Sequence, residues 1–339
     1  MTLKLAAEWA PHRTMWLGFP SHADLWEDNL EPAQAEVADL ALALAGAGGE
    51  RVRLMVRGED AATAARVLLK AGSNGGDGGV EIVQSLFGDI WVRDTGPIFV
   101  RRGEEVVAAA FKFNGWGGKY ILDEDDLVAE QIAAAAGAPR IDNDFILEGG
   151  AIDADGLGTI LTTRQCLLNP NRNPGWSQAD AEAALAEALG AQKVLWLNEG
   201  LQRDHTDGHV DNLARFVAPG VVACPVAFGF DDPNAYIYDS TAQQLAHMKD
   251  ARGVALQVVR IPSPGRIKDE EGAAIPASHM NFIIGNKAVI MPMYEDQASS
   301  FALDALSSLF PEREVIGLSS RAILSGGGSF HCITQPEPV

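Results

Sequence analysis

The chain is poor in cysteine, poor in basic residues and without a long apolar run. It has three cysteines in 339 residues: Cys166, Cys224 and Cys332. So small and odd a number excludes a disulfide framework and fits a reducing compartment. Lys and Arg total 26 against 46 Asp and Glu, a formal net charge of -20. A nucleic-acid partner is not expected, because phosphate binding needs clustered cations. An acidic surface instead draws small cations towards it. No stretch approaches the roughly 18 apolar residues of a membrane span. The opening residues 1–16 show no apolar core or cleavage pattern of a secretion signal. A cytoplasmic protein with no membrane partner is expected. Paired-cysteine zinc patterns, P-loops and a GxGxxG after a strand are absent as well.

What is present is a large stock of core residues, 47% hydrophobic, arranged in a recurring order. Residues 98–111 read as two strands turning at Gly103, and 123–136 as a helix stopped by Gly137. Residues 151–162 form a second hairpin. A helix capped by Ser177 then runs to Leu189, with Asp180 three residues on and Gly190 behind it, and 193–197 is a strand. A third unit follows: hairpin 212–224 through Pro219-Gly220, helix 239–250, strand 254–261. The fourth is hairpin 281–291 through Gly285-Asn286, helix 296–310, strand 314–318. Hairpin, helix and strand thus recur about every 50 to 70 residues, the sign of a repeated supersecondary unit. A helix at 31–44 has strand 51–56 after it but only strand 14–19 before it. The segment around Cys332 is the candidate for the missing strand, so the two termini would complete a fifth unit and close a ring. An irregular α/β domain is the plainer reading. Gly72 to Gly79 reads as a flexible loop. No Pro/Ser-rich linker divides the chain, so residues 1–339 read as one domain.

Each unit carries polar residues just before its hairpin. They are Trp91-Val92-Arg93-Asp94, Glu148-Gly149-Gly150, Asp204 to Asp211, and Ser278-His279-Met280-Asn281. The C-terminal segment adds Gly326-Gly327-Gly328 and Cys332. If the units are equivalent around a ring, these five segments converge at one mouth of its channel. Each has a plainer reading: Asp94 with Arg93 as a salt bridge and turn residue, Glu148-Gly149-Gly150 as a turn, Cys332 as a buried structural thiol. His209 and Asp211 read as neighbours on one face of a strand, in a core hydrogen bond or a metal half-site. A metal is not expected: the acidic run lacks the closing Glu of a calcium loop, and no second His stands at helical spacing.

A thiol and an imidazole give nucleophilic catalysis with an acid/base. Asp94, Glu148 and Asp211 beside the thiol would raise its pKa and waste its nucleophilicity. They make sense if the substrate is a cation. A guanidinium takes carboxylates bidentately, and its charge would lower the pKa of the thiol again.

The segments WVRDTGP, FNGWGGKY, LEGG, CLLNPNRNP, TDGHVDN and GGGSFHCITQ resemble those of the agmatine deiminases. These belong to the family shared with the porphyromonad-type peptidylarginine deiminase. The likeness runs in order over nearly the whole chain. It implies a five-bladed, pseudo-fivefold α/β propeller (pentein-like) of ββαβ-type repeats around a channel, with no metal or organic cofactor. By resemblance, Cys332 is the nucleophile, His209 the acid/base, Asp94 and Asp211 the guanidinium grip, and Glu148 the carboxylate orienting His209. Trp91 and Trp116 resemble pocket-lining aromatics, and core packing is the plainer reading of Trp116. One departure is His205, where relatives often carry Asp; nearby Asp204 and Asp207 are the candidates to replace it in holding the substrate's far amine. The expected partner is a small cationic guanidine, agmatine first; assembly into a homo-oligomer is left open. Arginine or peptidylarginine deimination, amidino transfer, and a non-catalytic binding propeller are the alternatives. An α-carboxylate substrate would want an Arg in the pocket, for which Arg93 and Arg164 are candidates. Cys166 and Cys224 are expected to be dispensable to the chemistry.

Overall fold

The computed structural model describes residues 2–71, 79–269 and 271–339, so all but the last residue of the Gly72–Gly79 loop lies outside it. Five small sheets follow one plan. In the first, strands Ile98–Arg102 and Glu105–Lys112 form a hairpin, helix Val128–Ala136 crosses over, and Arg140–Ile146 returns parallel to the second strand. The second blade repeats this with Ile152–Ala154, Thr159–Thr163, helix Gln178–Leu189 and Lys193–Leu197. The third uses Arg215–Ala218, Val221–Val226, helix Ala235–Ala246 and Gln257–Pro262. The fourth uses Ile283–Ile284, Ala288–Met293, helix Ser299–Leu309 and Glu314–Ser319.

The fifth blade joins the chain ends. Strand Thr334–Pro338 pairs antiparallel with His12–Gly18, which lies parallel to Val52–Val56 beyond helix Leu30–Ala45. Cys332 itself precedes this strand rather than lying in it. A helix at Ala61–Ala71 and a further parallel strand, Val80–Gln84, extend the sheet outward; the sequence reading left both out. The short strand Leu3–Leu5 adds to the edge of the first blade.

Strand periodicity closes the ring. Successive residues of a strand face opposite ways, and here they enter different cores. Ile160 packs with the first blade, Leu161 with the third. Phe216 faces the second blade, Val217 the fourth. Val289 turns to the third, while Ile290 joins Met15, Val37, Phe99 and Ile132 in a core spanning the fourth, fifth and first blades. The inner strands therefore bury both faces and read as apolar runs such as Ala288–Met293, whereas outer strands such as Arg140–Ile146 stay polar and partly exposed.

Element boundaries move where side chains claim the backbone first. The third helix starts at Ala235, and Asp250 is not in it. The Asp250 carboxylate accepts from the N–H groups of Arg252 and Val254 in a turn, which also delays the following strand to Gln257. Asp296 likewise sits outside the fourth helix, accepting from Ala298 N and Ser299 Oγ. Asp125 holds Gly88 N and Asp89 N, and the first helix begins after it at Val128. The Ser177–Asp180 capping box and the left-handed Gly190 form as expected.

Candidate active site

The five segments meet. Arg93 N donates to Cys332 O at 3.2 Å, Gly150 N to Asp94 Oδ1 at 2.9 Å, and Ser278 Oγ to Asn212 O at 2.7 Å. Asn281 closes the circle, giving Nδ2–H bonds to Asn212 Oδ1 (2.9 Å) and Cys332 Sγ (3.2 Å) and accepting from His331 N. Each segment is a tight turn leading into the first strand of its blade, so equivalent positions point at one axis. His209 and Asp211 belong to such a turn, Val210–Asn212, and not to a strand. Both are nevertheless fully buried here.

Asp94, Glu148, His209, Asp211 and Cys332 are all buried. Glycine at 150 makes this possible: a Cβ there would lie 2.6 Å from His209 Nδ1, 2.9 Å from Asp211 Oδ2 and 3.0 Å from Asp94 Oδ1. At Gly149 a Cβ would meet Arg93 O at 2.2 Å. The Glu-Gly-Gly run is therefore a spacing device more than a turn signal. Asp94 accepts from Trp116 Nε1 at 2.9 Å and has His209 Nδ1 at 3.8 Å. Trp116 sits in left-handed backbone, φ 53, between Gly115 and Gly117, themselves left-handed. That conformation costs a non-glycine residue about 1 kcal/mol or more, and it carries the indole onto Asp94. Glu148 Oε1 accepts from Arg172 Nε at 2.6 Å. Asp211 Oδ2 bonds His331 Nδ1 at 2.8 Å, and the thiol of Cys332 points to the same oxygen at 3.7 Å. Three buried atoms are left without partners: Asp211 Oδ1 and both ring nitrogens of His209.

Burial lifts the Cys332 thiol well above its ordinary range; Asp211 and Asp94 lift it further, and the Asn281 bond offsets only part. Burial opposes charge on His209, but Asp94, then the adjacent Cys166 thiol and Glu148, more than offset it and raise its basicity well above the usual value. Asp94 is raised by burial and by Asp211 and Glu148. Asp211 is pushed up by burial yet ends below the ordinary carboxylate range, because His331 donates to it and His209 and Arg215 lie near.

A cavity of about 230 Å³ leads to Cys332 and Asp94. Its walls include Trp26, Trp91, Trp116, Tyr120, His205 and the Gly326–Gly328 backbone. Trp91 stacks on Trp26 at 6.2 Å, and both indole N–H groups end on Asp89. His205 stacks on Tyr120 and bonds its hydroxyl at 3.1 Å. Asp204 is not brought to the cavity: its Oδ1 is held by Thr206 in a turn. Asp207 instead binds Arg172, Asn171 and Lys119. Arg93 and Arg164 do not line the cavity either. Arg93 turns to the opposite end of the channel, donating to His331 O, and Arg164 lies over Trp196.

Four residues that share these contacts went unassigned in the sequence. Arg172 lies in the Asn-Pro-Asn-Arg-Asn-Pro segment and bridges Glu148 to Asp207, fully buried. Asn281 was among the converging polar residues but carried no role. His331, beside the thiol, spans Asp211 and Glu8, its Nε2 2.7 Å from Glu8 Oε2. Glu8, also paired with Arg215 at 2.6 Å, lines a second cavity together with Arg93 and His331. Nothing local in the sequence marks Glu8, whose partners Arg93, Arg215, Ile284 and His331 are all distant in the chain. Cys166 also lies at the site: Glu148, Cys166 and His209 place donor atoms within 4.8 Å of one another.

The family model for Porphyromonas-type peptidyl-arginine deiminase matches residues 4–338. The chain belongs to that family. Within the Porphyromonas-type peptidyl-arginine deiminase family, it is 39% identical to the agmatine deiminase of Stutzerimonas stutzeri, covering 99% of this chain and 95% of that protein. It is 38% identical to the agmatine deiminase of Ectopseudomonas mendocina at the same coverage. The solved agmatine deiminase of Enterococcus faecalis superposes with a TM-score of 0.92 at 32% identity, over 99% of this chain and 96% of that one. The five-bladed α/β propeller expected from the sequence is thus the family's fold.

Proposed function

We propose that this protein is an agmatine deiminase, hydrolysing the guanidinium group of agmatine to N-carbamoylputrescine and ammonia. The observation that carries this reading is the convergence of a buried thiol, Cys332, with a buried imidazole, His209, and the buried carboxylates of Asp94, Glu148 and Asp211. Asp94 lines the cavity beside Cys332, and Asp211, to which the Cys332 thiol points, adds a second buried carboxylate, a pair suited to the N–H groups of a planar cation. The cavity favours agmatine over arginine: among the described lining residues there is no Arg or Lys to meet an α-carboxylate. Its tryptophans suit an aliphatic chain, and His205 and Tyr120 stand at the outer end.

In the mechanism we infer, the bound guanidinium offsets the charge of Asp94 and Asp211, which lets the Cys332 thiol release its proton. Sγ attacks the guanidinium carbon. His209, protonated beforehand because its basicity is raised, gives its proton to the departing nitrogen, and the C–N bond breaks to release ammonia. The amidino group is then bonded to Sγ. Neutral His209 takes a proton from water, the resulting hydroxide attacks the same carbon, and the C–S bond breaks to give the ureido product. Glu148, fixed by Arg172, orients His209. Residues from all five blades contribute, which supports 1–339 acting as one catalytic unit. A role in supplying putrescine fits the product. No described helix is long and apolar enough to cross a membrane.

The test is ammonia release from agmatine, arginine and a peptidyl-arginine side by side. Release from agmatine, abolished by Cys332→Ser, is expected. Release from none of the three would sink the reading, and preference for arginine would replace the substrate.

A further inference from the structure

Cys166 was expected to be inert, yet its thiol lies against His209. Glu148, Cys166 and His209 are fully or almost fully buried, and each can offer a donor atom within 4.8 Å of the other two. Cys166 is a free thiol. Glu148 uses Oε1 for Arg172 and has a second oxygen to give. His209, with no exposed surface, has no nitrogen or oxygen partner at either ring nitrogen, and the Cys166 thiol is its close neighbour. A thiol, an imidazole and a carboxylate are the donor set of a borderline-soft divalent ion, and three protein ligands with one open position is a common zinc arrangement. Zinc bond lengths of about 2.0 to 2.3 Å put tetrahedral ligands about 3.5 Å apart. Drawing these donors together is thus a side-chain adjustment of the order of 1 Å. Asp94 lies 3.8 Å from His209, and the buried Arg172 guanidinium on Glu148 is the cation beside the three donors.

We propose that Glu148, Cys166 and His209 form an inhibitory site for Zn²⁺ or a similar transition metal. On binding, the Cys166 S–H proton and the extra proton of the His209 imidazolium both pass to solvent, and a metal–sulfur bond forms. A lone pair of neutral His209 and an oxygen of Glu148 complete the protein ligands, and water takes the fourth place. No electron transfer is involved. A metal-bound His209 can neither give nor take a proton, so turnover stops. This consequence rests on the acid/base role assigned to His209 above; the binding itself does not.

The test uses the full-length protein and Co²⁺ as a spectroscopic probe, which needs no activity. Stoichiometric Co²⁺ should give the near-ultraviolet thiolate-to-metal charge-transfer band in the native protein and in Cys332→Ser, but not in Cys166→Ala. Cys166→Ser, closer in size, covers the case in which the alanine variant fails to fold. His209→Ala should weaken Co²⁺ binding by about tenfold or more. Zn²⁺ should inhibit turnover reversibly, with a chelator restoring it. In either Cys166 variant, whatever its basal rate, about tenfold more Zn²⁺ should be needed. A band that survives Cys166→Ala but is lost in Cys332→Ser would place the metal on the nucleophile and overturn the proposal; so would the absence of any band. Ammonia release with no cobalt band sinks only this inference, and a cobalt band with no ammonia release sinks only the enzymatic one.

Discussion

Gly150→Ala puts one methyl group into the middle of the candidate site. Gly150 does not use positive φ, so alanine fits the backbone and the effect is one of space alone. The new Cβ would stand 2.6 Å from His209 Nδ1, where ordinary contact begins at 3.4 Å, with Asp211 and Asp94 oxygens at 2.9 and 3.0 Å. Relief requires shifts of about 0.4 to 0.8 Å shared among His209, Asp94 and Asp211, the proposed acid/base and guanidinium grip. A misplacement approaching 1 Å costs about 100-fold in rate. The expected fall in kcat/KM is therefore about 100-fold, or about 3 kcal/mol of transition-state stabilisation. Overpacking of this kind costs about 1 to 3 kcal/mol in stability, so the variant should fold. The assay is ammonia release from agmatine, with thermal unfolding measured in parallel. Gly149→Ala is the control: its Cβ meets the Arg93 carbonyl at 2.2 Å, so it should lose stability more than its site geometry would suggest. A Gly150→Ala enzyme within about threefold of native kcat/KM and with an unchanged Tm would refute the placement of these three residues around one substrate position.

Arg172→Met should destabilise the fold by about 3 to 5 kcal/mol, because it leaves Glu148 charged, buried and unpaired; an unchanged urea midpoint would count against that ion pair. In the free protein, iodoacetamide labelling of Cys332, followed on its peptide by mass spectrometry, should still be rising above about pH 9. Agmatine turnover should instead decline as pH rises through the elevated His209 pKa, since the protonated imidazole is the acid; coincident profiles would rule out activation of the thiol by substrate charge. Burial raises the Asp125 carboxyl to about 7. The folded state then binds the proton more tightly than the unfolded chain, and stability drops as pH rises from about 4 to about 7. Asp125→Asn keeps the acceptor for Gly88 N and Asp89 N and removes a penalty of up to about 4 kcal/mol. It should raise Tm at pH 8 and make little difference near pH 4; equal Tm at pH 8 would show the charge is tolerated.

The repeat was legible because strand and helix periods, caps and turn glycines are local properties. Ser177-x-x-Asp180 with Gly190 fixed one helix, and Pro219-Gly220 fixed a hairpin. The helix Ala61–Ala71 and strand Val80–Gln84 lie outside the repeated unit, and no repeat argument could find them. Boundaries failed where one carboxylate took the backbone, as Asp250 and Asp296 do. Those competitions depend on side-chain geometry that spacing does not encode.

The sequence by itself determined the five-fold plan, the joining of the two termini, and a convergence of Asp94, Glu148, His209, Asp211 and Cys332. All of these follow from periodicity and from polar residues recurring at one place in each unit. Only the tertiary structure decided which neighbours tune them. Arg172 on Glu148, His331 between Asp211 and Glu8, and Asn281 on the thiol are contacts across 24 to 323 residues of chain. It also turned Arg93 and Arg164 away from the cavity, spent Asp204 and Asp207 on other partners, and set Cys166 against His209. A residue's type announces the chemistry it can do; the partners that fix its charge and direction are chosen by folding.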